Sequence, residues 1–377
     1  MNLILHDIRH GIPLPDDLVQ CVVTSPPYWG LRDYGTGPDQ LGMEPRVEDF
    51  IANLVAIFRE VRRVLRPDGT LWLNIGDCYA GSDNGGGFQM PVGAKRKDIV
   101  GVPWMLAFAL RADGWFLRSN IVWHKPNPMP ESATDRPTNA HEMLFLLAKS
   151  ARYFYDADAI REPAKCSRQP TPEGWNTGDG AHSATAHSRR ERKVTPRGAT
   201  RPHEGFNNRW DGMSRAEQQA AGANKRSVWT IAPRPFPEAH FATFPETLVE
   251  PCVLAGTSAA GQCRTCGTPW RRTVDREFRP QADVAQSSAL LTDASSVDPS
   301  SGWAGFPRGT TVTRTTGWEP SCSCGAGVEP QIVFDPFVGS GTTGVVAQRL
   351  GRQFIGIDNS PVYLDMAARR IDESRYA

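Results

Sequence analysis

The sequence predicts an α/β fold in which helices cover both faces of a mainly parallel sheet and the chain order is permuted. Strand-like and helix-like segments alternate over residues 1–160 and again over residues 331–377, a pattern typical of parallel sheets. A glycine-rich turn joins a strand to a helix at residues 339–344. Because only 19 residues follow the next strand, the N-terminal half must supply the rest of the sheet.

The individual elements follow from the spacing of apolar residues. In the N-terminal half the predicted strands are residues 3–7, 20–24, 70–75 and 120–123, and the predicted helices are residues 50–65 and 103–112. Residues 142–147 and 152–155 are predicted to pair as a hairpin. Towards the C-terminus we predict a helix in 236–258 that is entered through residues 244–246, with Pro245 suited to its first turn. We also predict helices at 342–350 and 361–373 and strands at 331–335 and 354–358.

The composition of the 377-residue chain indicates a globular protein. Lys and Arg number 42, and Asp and Glu number 41, which excludes a uniformly basic surface but not a local basic patch. The longest apolar run, residues 102–110, is far shorter than the roughly 18 residues that a membrane span needs. The first residues lack the basic and apolar segments of a signal peptide. We therefore expect a cytoplasmic protein that does not enter a membrane.

Two stretches have the composition of insertions. Residues 165–226 contain 12 Lys or Arg against 6 Asp or Glu, a local net charge of +6. They contain too few apolar residues for a core of their own. Residues 279–316 are rich in Ser, Thr, Pro and Gly. We expect both stretches to be long loops, and the basic one to be a candidate nucleic-acid contact, with a solvated linker as the alternative.

The glycine turn, residues 339–344, has the spacing of a nucleotide-binding turn. Asp358 lies 17 residues beyond Gly341, at the end of the next predicted strand, where an acid can accept hydrogen bonds from two ribose hydroxyls. Asp335, immediately before the turn, is unfavourable beside a pyrophosphate and favourable beside a cationic amine. S-adenosylmethionine therefore fits better than NAD, and an NAD-dependent oxidoreductase or a plain glycine-rich turn stay as alternatives.

Two motifs carry a resemblance to a known family. Residues 335–343, Asp-Pro-Phe-Val-Gly-Ser-Gly-Thr-Thr, resemble the cofactor motif of amino-group DNA methyltransferases, and residues 24–28, Thr-Ser-Pro-Pro-Tyr, resemble their catalytic motif. The catalytic motif comes first and the cofactor motif last, as in the β class of that family. The resemblance covers residues 1–160, 236–258 and 331–377. It implies a permuted Rossmann-like methyltransferase sheet with an inserted, loop-rich target-recognition region.

The resemblance also implies which residues surround the cofactor. Asp335, Phe337, Gly339 and Gly341 would surround the methionine part, Asp358 the ribose, and Asp7 the adenine. Phe244 would pack on the cofactor, with a hydrophobic staple at a helix entry as the alternative. The complete predicted cofactor set is Asp7, Phe244, Asp335, Pro336, Phe337, Gly339, Ser340, Gly341, Thr342 and Asp358.

The predicted catalytic residues are Ser25, Pro26, Pro27 and Tyr28, which we name the proline corner. Two consecutive prolines fix φ and make the corner rigid after a buried strand. A rigid corner can direct the Ser25 hydroxyl and the Pro26 carbonyl at one exocyclic amine, and Tyr28 can stack on an extruded base. In the resembling family, serine at the first position is associated mainly with cytosine N4, and Asp or Asn with adenine N6. We therefore predict an N4-cytosine DNA methyltransferase, with N6-adenine as the alternative.

Cys263, Cys266, Cys322 and Cys324 form two closely spaced pairs, each followed by glycine. In a protein that is not exported, such pairs suggest a structural zinc site, a zinc knuckle, before a disulfide. Reduced thiols and redox chemistry are the alternatives. A second thiol motif, at Cys252, is interpreted as a core residue and not as a nucleophile. A non-catalytic, zinc-bearing DNA-binding module would leave the glycine turn unexplained.

The predicted partner is double-stranded DNA. The residues predicted to contact it are His124, Lys125, Arg189, Arg190, Arg192 and Lys193. For His124 and Lys125 the predicted contact is a phosphate, with a solvated loop as the alternative. A cognate restriction endonuclease is a further candidate partner, and a host or phage role, the recognition sequence and the oligomeric state stay open. We divide the chain into a catalytic half (1–163), a basic target-recognition insertion (164–235), a cofactor-side helix (236–258), a zinc-binding insertion (259–328) and a cofactor-binding half (329–377).

Overall fold

The computed structural model describes residues 2–31, 40–81, 88–162, 223–233, 244–280 and 309–375. These residues fall into two compact units. The first comprises Met1–Ile160, Lys225–Arg272 and Trp318–Ala377, and the second comprises Arg161–Asn224 and Thr273–Gly317. Within the described ranges, no helix has the length and hydropathy that crossing a bilayer requires.

The described elements alternate between strands and helices, as expected for an α/β fold. The strands are β1 (Asn2–Leu5), β2 (Val19–Thr24), β3 (Leu65–Ile75), β4 (Phe116–His124), β5 (His141–Ala148), β6 (Val228–Thr230), β7 (Gln262–Cys263), β8 (Arg271–Pro280), β9 (Gly309–Glu319), β10 (Val328–Glu329), β11 (Ile332–Asp335) and β12 (Gln353–Asp358). The helices are α1 (Val47–Val64), α2 (Val102–Ala112), α3 (Glu246–Gly256), α4 (Thr342–Arg349) and α5 (Pro361–Glu373).

Eight strands form one sheet in the first unit, in the order β1-β12-β11-β2-β3-β5-β4-β6. Every pair in it is parallel except the two pairs that β5 makes with β3 and β4. Helices α1 and α2 contribute to one core cluster, and α3, α4 and α5 contribute to the other. The predicted mainly parallel sheet, covered on both faces, is confirmed.

The predicted hairpin of residues 142–147 with 152–155 is wrong. Strand β5 lies between β3 and β4, whereas residues 152–155 form no strand. The residues from Leu144 to Ala148 are all buried, which suits a central strand with packing on both faces better than an edge hairpin.

The predicted insertions differ in part from the observed elements. Strand β6 pairs with β4, so the main sheet includes residues that we had assigned to the basic insertion. Residues 279 and 280 belong to β8, and residues 309–316 belong to β9. The two ends of the second predicted loop therefore belong to strands β8 and β9, which pair as a two-stranded ribbon. Helix α3 begins at Glu246 after the cap Pro245, at the predicted entry. Residues 163–222, 234–243 and 281–308 lie outside the described ranges.

The permuted chain order creates a crevice between β11 and β2. From β11 the chain passes through α4 to β12 on one side, and from β2 it passes through α1 to β3 on the other side. Successive segments leave the carboxyl ends of these adjacent strands in opposite directions, which is the usual place for a ligand in an open α/β sheet. The glycine turn follows β11, and the proline corner follows β2.

Candidate functional site

A cavity of about 300 Å³ opens at this crevice. It brings together the proline corner from near the N-terminus and the glycine turn from near the C-terminus. The predicted catalytic and cofactor residues that line it are Asp7, Ser25, Pro26, Pro27, Tyr28, Phe244, Pro336, Phe337, Gly339, Ser340, Thr342 and Asp358. Two predicted cofactor residues, Asp335 and Gly341, do not line it.

The glycine turn is shaped by two residues with positive φ. Gly339 has a φ of +47° and Gly341 a φ of +81°, in the left-handed region that other residues rarely adopt. A Cβ on Gly341 would lie 2.8 Å from the Cβ of Ala367 on α5. The Arg370 guanidinium, also from α5, donates to the Ser340 carbonyl at 2.6 Å. Gly341 therefore serves the packing of α5 beneath the turn, while Gly339 and Ser340 form the wall of the cavity.

Asp358, at the end of β12, is held by the backbone around it. Its carboxylate accepts hydrogen bonds from the N–H of Gly339 and the N–H of Ser360, each at 2.9 Å. Burial raises the pKa of Asp358, and these backbone donors oppose the rise. A carboxylate oxygen has more than one lone pair, so each oxygen can still accept a hydrogen bond from a ligand in the cavity.

Asp7 and Phe244 both line the cavity. Asp7 accepts hydrogen bonds from the Arg9 side chain, with 2.6 Å between Nη2 and Oδ2, and these bonds hold the pKa of Asp7 below its ordinary value. Phe244, directly before the cap of α3, is half-buried against the core cluster that includes α3. Phe244 thus both packs on the protein core and faces the cavity, so the staple and cofactor interpretations are compatible.

Asp335 lies behind the cavity wall, where it joins the ends of β2 and β11. Its side chain is 1% exposed. One carboxylate oxygen accepts from the Thr24 hydroxyl at 2.7 Å and the Phe337 N–H at 3.1 Å, and the other accepts from the Thr343 hydroxyl at 2.8 Å. Burial raises the pKa of Asp335 to about 6, against the effect of these bonds. The direct contact with a cationic amine expected from the sequence is not available to this enclosed carboxyl group.

On the β2 side of the cavity, the proline corner presents Ser25 and Tyr28. The Tyr28 hydroxyl donates to Glu142 Oε2 at 2.7 Å, and the Ser25 hydroxyl donates to the Tyr28 oxygen at 3.4 Å. The Tyr28 ring packs on Gly76, where a Cβ would lie 2.6 Å from Tyr28 Cε2. With its proton directed at Tyr28, the Ser25 oxygen keeps its lone pairs for a ligand.

Sequence reasoning missed Asn74 and Glu142, which also line the cavity. Asn74 lies near the carboxyl end of β3, and Glu142 near the amino end of β5. Because β5 is antiparallel to β3, these two ends meet at the same edge of the sheet. The signal available in the sequence was an acid at the start of an otherwise apolar segment, but the mistaken hairpin placed it elsewhere.

The residues predicted to contact DNA lie in different surroundings. Lys125 lines the cavity, where its ammonium group forms an ion pair with Glu142. His124 does not line the cavity, and its Nδ1 lies 3.2 Å from the Thr230 hydroxyl. The remaining predicted contacts lie outside the described residues: Arg189, Arg190, Arg192 and Lys193.

The four cysteines predicted to bind metal come together in the first unit. The sulfur atoms of Cys263, Cys266, Cys322 and Cys324 all lie within 4.8 Å of one another. Four sulfurs about 2.3 Å from one zinc ion stand roughly 3.8 Å apart, so the cluster needs little contraction to hold one. Cys252 is separate from this cluster and fully buried, which confirms its interpretation as a core residue.

A family model, two curated relatives and a solved structure each match this chain over most of its length. The N6/N4 family model described as DNA methylase matches residues 19–262 and 328–369. The Type II methyltransferase M.Cfr9I of Citrobacter freundii is 35% identical over 95% of this chain and 83% of its own length. M.SmaI of Serratia marcescens, also a Type II methyltransferase, is 34% identical over 98% and 90%. In fold, the chain resembles the solved PvuII DNA methyltransferase (cytosine-N4-specific), with a TM-score of 0.51, 14% identity, and coverage of 98% of this chain and 85% of that one.

Proposed function

The chain belongs to the N6/N4 amino-group DNA methylase family, and from this we propose that it transfers a methyl group from S-adenosylmethionine to the N4 amine of a cytosine extruded from double-stranded DNA. One observation carries the proposal. The proline corner and the glycine turn line a single cavity, and the elements that bear them are joined by the hydrogen bond between Thr24 and Asp335, which are 311 residues apart. Both ligands of the reaction can thereby reach one space.

The residues on the cofactor side fit S-adenosylmethionine. Phe244 and Phe337 supply apolar surface, and Asp358 supplies acceptors for ribose hydroxyls. Arg370 binds the turn through the Ser340 carbonyl, and its engaged guanidinium is poorly placed to bind a pyrophosphate. When bound, the cofactor supplies a methyl group on a sulfonium, which is a strong electrophile. An NAD-dependent oxidoreductase and a non-catalytic zinc module do not agree with the family.

The proline corner would hold and activate the target amine. The Ser25 oxygen and the Pro26 carbonyl accept the two N–H groups, which directs the nitrogen lone pair away from ring conjugation. Tyr28 stacks on the extruded base. As the N–C bond forms, the bond between the methyl group and the cofactor's sulfur would break and leave S-adenosylhomocysteine. The methylated nitrogen would be cationic and would release one proton to water, while the Ser25 oxygen holds it by a hydrogen bond. No bond forms between enzyme and base, so positioning supplies most of the catalysis.

Serine at position 25 favours cytosine N4, and adenine N6 is the second candidate because both amines suit the same pair of acceptors. Expression in a methylation-free host, followed by sequencing that distinguishes modified bases, tests the proposal. We expect N4-methylcytosine in one sequence context. An unmodified genome would contradict the function, and N6-methyladenine would contradict the choice of atom. By analogy with the Type II relatives, a cognate restriction endonuclease is the proposed partner.

Replacing Asp358 by alanine is expected to weaken cofactor binding by about 100-fold or more, because two hydrogen bonds to a charged acceptor, at roughly 1.5 kcal/mol or more each, are lost. Isothermal titration with S-adenosylhomocysteine measures the change. Asp372→Ala, on the exposed end of α5, is the matched control and should bind like the wild type. Equal affinity of the Asp358 variant and the wild type would remove Asp358 from the cofactor site.

We also propose that the cysteine cluster holds one structural zinc ion. Metal analysis of the purified protein should find one zinc per chain, and Cys266→Ser together with Cys322→Ser should lose it and lower the melting temperature. Cys252→Ser changes a thiol outside the cluster and should keep the metal. Clearly less than one zinc in the wild-type protein would refute the site.

The basic insertion stays our proposal for DNA contact. Arg189, Arg190, Arg192 and Lys193 would neutralise phosphates irrespective of sequence.

A further inference from the structure

Five side chains on the target side of the cavity form one connected group, which we name the target network: Tyr28, Asn74, Trp123, Lys125 and Glu142. Glu142 is at its centre. Its Oε2 accepts from the Tyr28 hydroxyl at 2.7 Å and from Asn74 Nδ2 at 3.1 Å, while its Oε1 forms the ion pair with Lys125. The Lys125 ammonium also lies 4.7 Å from the centre of the Trp123 ring.

The topology explains how one carboxylate reaches so many partners. Glu142 stands directly opposite Trp123 in the ladder between β5 and β4. Asn74 is on β3, the other neighbour of β5, and its Nδ2 is also fixed by the Met143 carbonyl at 3.1 Å. Glu142 is therefore anchored between two strands while its carboxylate extends to the proline corner.

The network is not explained by stability alone. The side chains of Lys125 and Glu142 are 21% and 16% exposed, and an ion pair that is largely withdrawn from water contributes little net stability compared with an apolar pair. All five members line the cavity. A few polar groups that converge on a ligand space in this way indicate a role in holding the ligand.

We propose that Glu142 is the positioning residue for the extruded base. It fixes the plane of the Tyr28 ring, on which the base stacks, and it holds the Lys125 ammonium as a donor to a ring nitrogen or carbonyl oxygen of that base. An ammonium group has three N–H donors, so the bond to Glu142 leaves others for the base. Lys125 thereby contacts the base and not, as the sequence suggested, a phosphate. This inference rests on the proposed function.

The test uses the full-length protein and a duplex that carries its target site. Glu142→Gln keeps the size of the side chain and an acceptor for Tyr28 but removes the charge that holds Lys125. We expect single-turnover methylation to fall by about 10- to 100-fold with affinity for S-adenosylhomocysteine within twofold of the wild type. Glu250→Gln changes a carboxylate paired with Arg349 on the exposed side of α3, and should leave the rate unchanged.

Lys125→Met separates a base contact from a phosphate contact. A base contact predicts a slower methylation rate with an unchanged slope of DNA affinity against salt concentration. A phosphate contact would reduce that slope by about one. Because Glu142 acts partly through Lys125, the two substitutions should not reduce the methylation rate independently. The double variant should therefore methylate DNA much faster than the product of the two single rate reductions predicts.

Three results would overturn the inference while leaving the proposed function intact. The first is a methylation rate of Glu142→Gln within twofold of that of an active wild-type enzyme. The second is a reduced slope of DNA affinity against salt concentration in Lys125→Met. The third is a Glu142→Gln variant that loses affinity for S-adenosylhomocysteine by the same factor as it loses methylation rate. Absence of methylation by the wild-type protein would instead refute the proposed function itself.

Discussion

Replacing Ser25 by alanine should lower the rate of methyl transfer by at least about 100-fold, because the target amine loses an acceptor that orients its lone pair. Cofactor binding should be unchanged, since the glycine turn and Asp358 are untouched. Single-turnover methylation of a target duplex and titration with S-adenosylhomocysteine measure the two effects. A retained rate would refute the assignment of Ser25.

Tyr28 provides the companion to this experiment. Tyr28→Ala removes the surface on which a base stacks, worth about 1–3 kcal/mol, or roughly 5- to 150-fold in rate if the stack is made in the transition state. Tyr28→Phe keeps the ring and removes the hydroxyl with its hydrogen bonds to Glu142, Asn74 and Ser25, so its loss should be smaller. A Phe variant as slow as the Ala variant would show that the hydroxyl, and not the ring, is what matters.

Replacing Asp335 by asparagine is expected to raise the free energy of unfolding near pH 8. Burial raises the pKa of this carboxyl from 3.8 to about 6 in the folded protein. The contribution of this carboxyl group to the free energy of unfolding of the wild type should thus be fully present below about pH 4. It should be lost as the pH rises through 6. The loss corresponds to about 3 kcal/mol at most, and an uncharged asparagine avoids it.

The hydrogen bonds around Asp335 are compatible with this substitution. An amide at this position can accept from Thr24 and donate to the Thr343 oxygen, whose hydroxyl can turn to the Val23 carbonyl at 3.1 Å. Asp335→Ala offers no acceptor and should cost at least about 2 kcal/mol. Urea unfolding of both variants between pH 4 and 8 checks the prediction. An Asn variant whose pH profile parallels that of the wild type would contradict it.

Local sequence patterns were sufficient to predict the two motifs of the site. The proline corner depends on two adjacent prolines, and the glycine turn on glycines at fixed spacing, so each can be recognised without knowledge of the rest of the chain. The predicted ranges of α1, α2 and α5 were close for the same reason, since their apolar residues recur at helical spacing. In each case the information lies within about 20 residues.

The partners of β5 and the environment of Asp335 could not be predicted in this way. The apolar segment 144–148 suits several positions in a sheet, and the ladder with β3 and β4 was needed to place Glu142 opposite Trp123. Asp335 was expected to face an amine because its sequence neighbours form a ligand turn. Thr24, from the other end of the chain, instead helps to enclose it.

The sequence by itself determined the fold class and the permuted order, because these follow from short-range periodicity and backbone restrictions. Its resemblance to a known family indicated residues on the two walls of the cavity. Only the tertiary structure decided which side chains join those walls. Thr24 meets Asp335 across 311 residues, and Tyr28 meets Glu142 across 114. Such contacts depend on the order and direction of strands in the sheet, which no local pattern specifies.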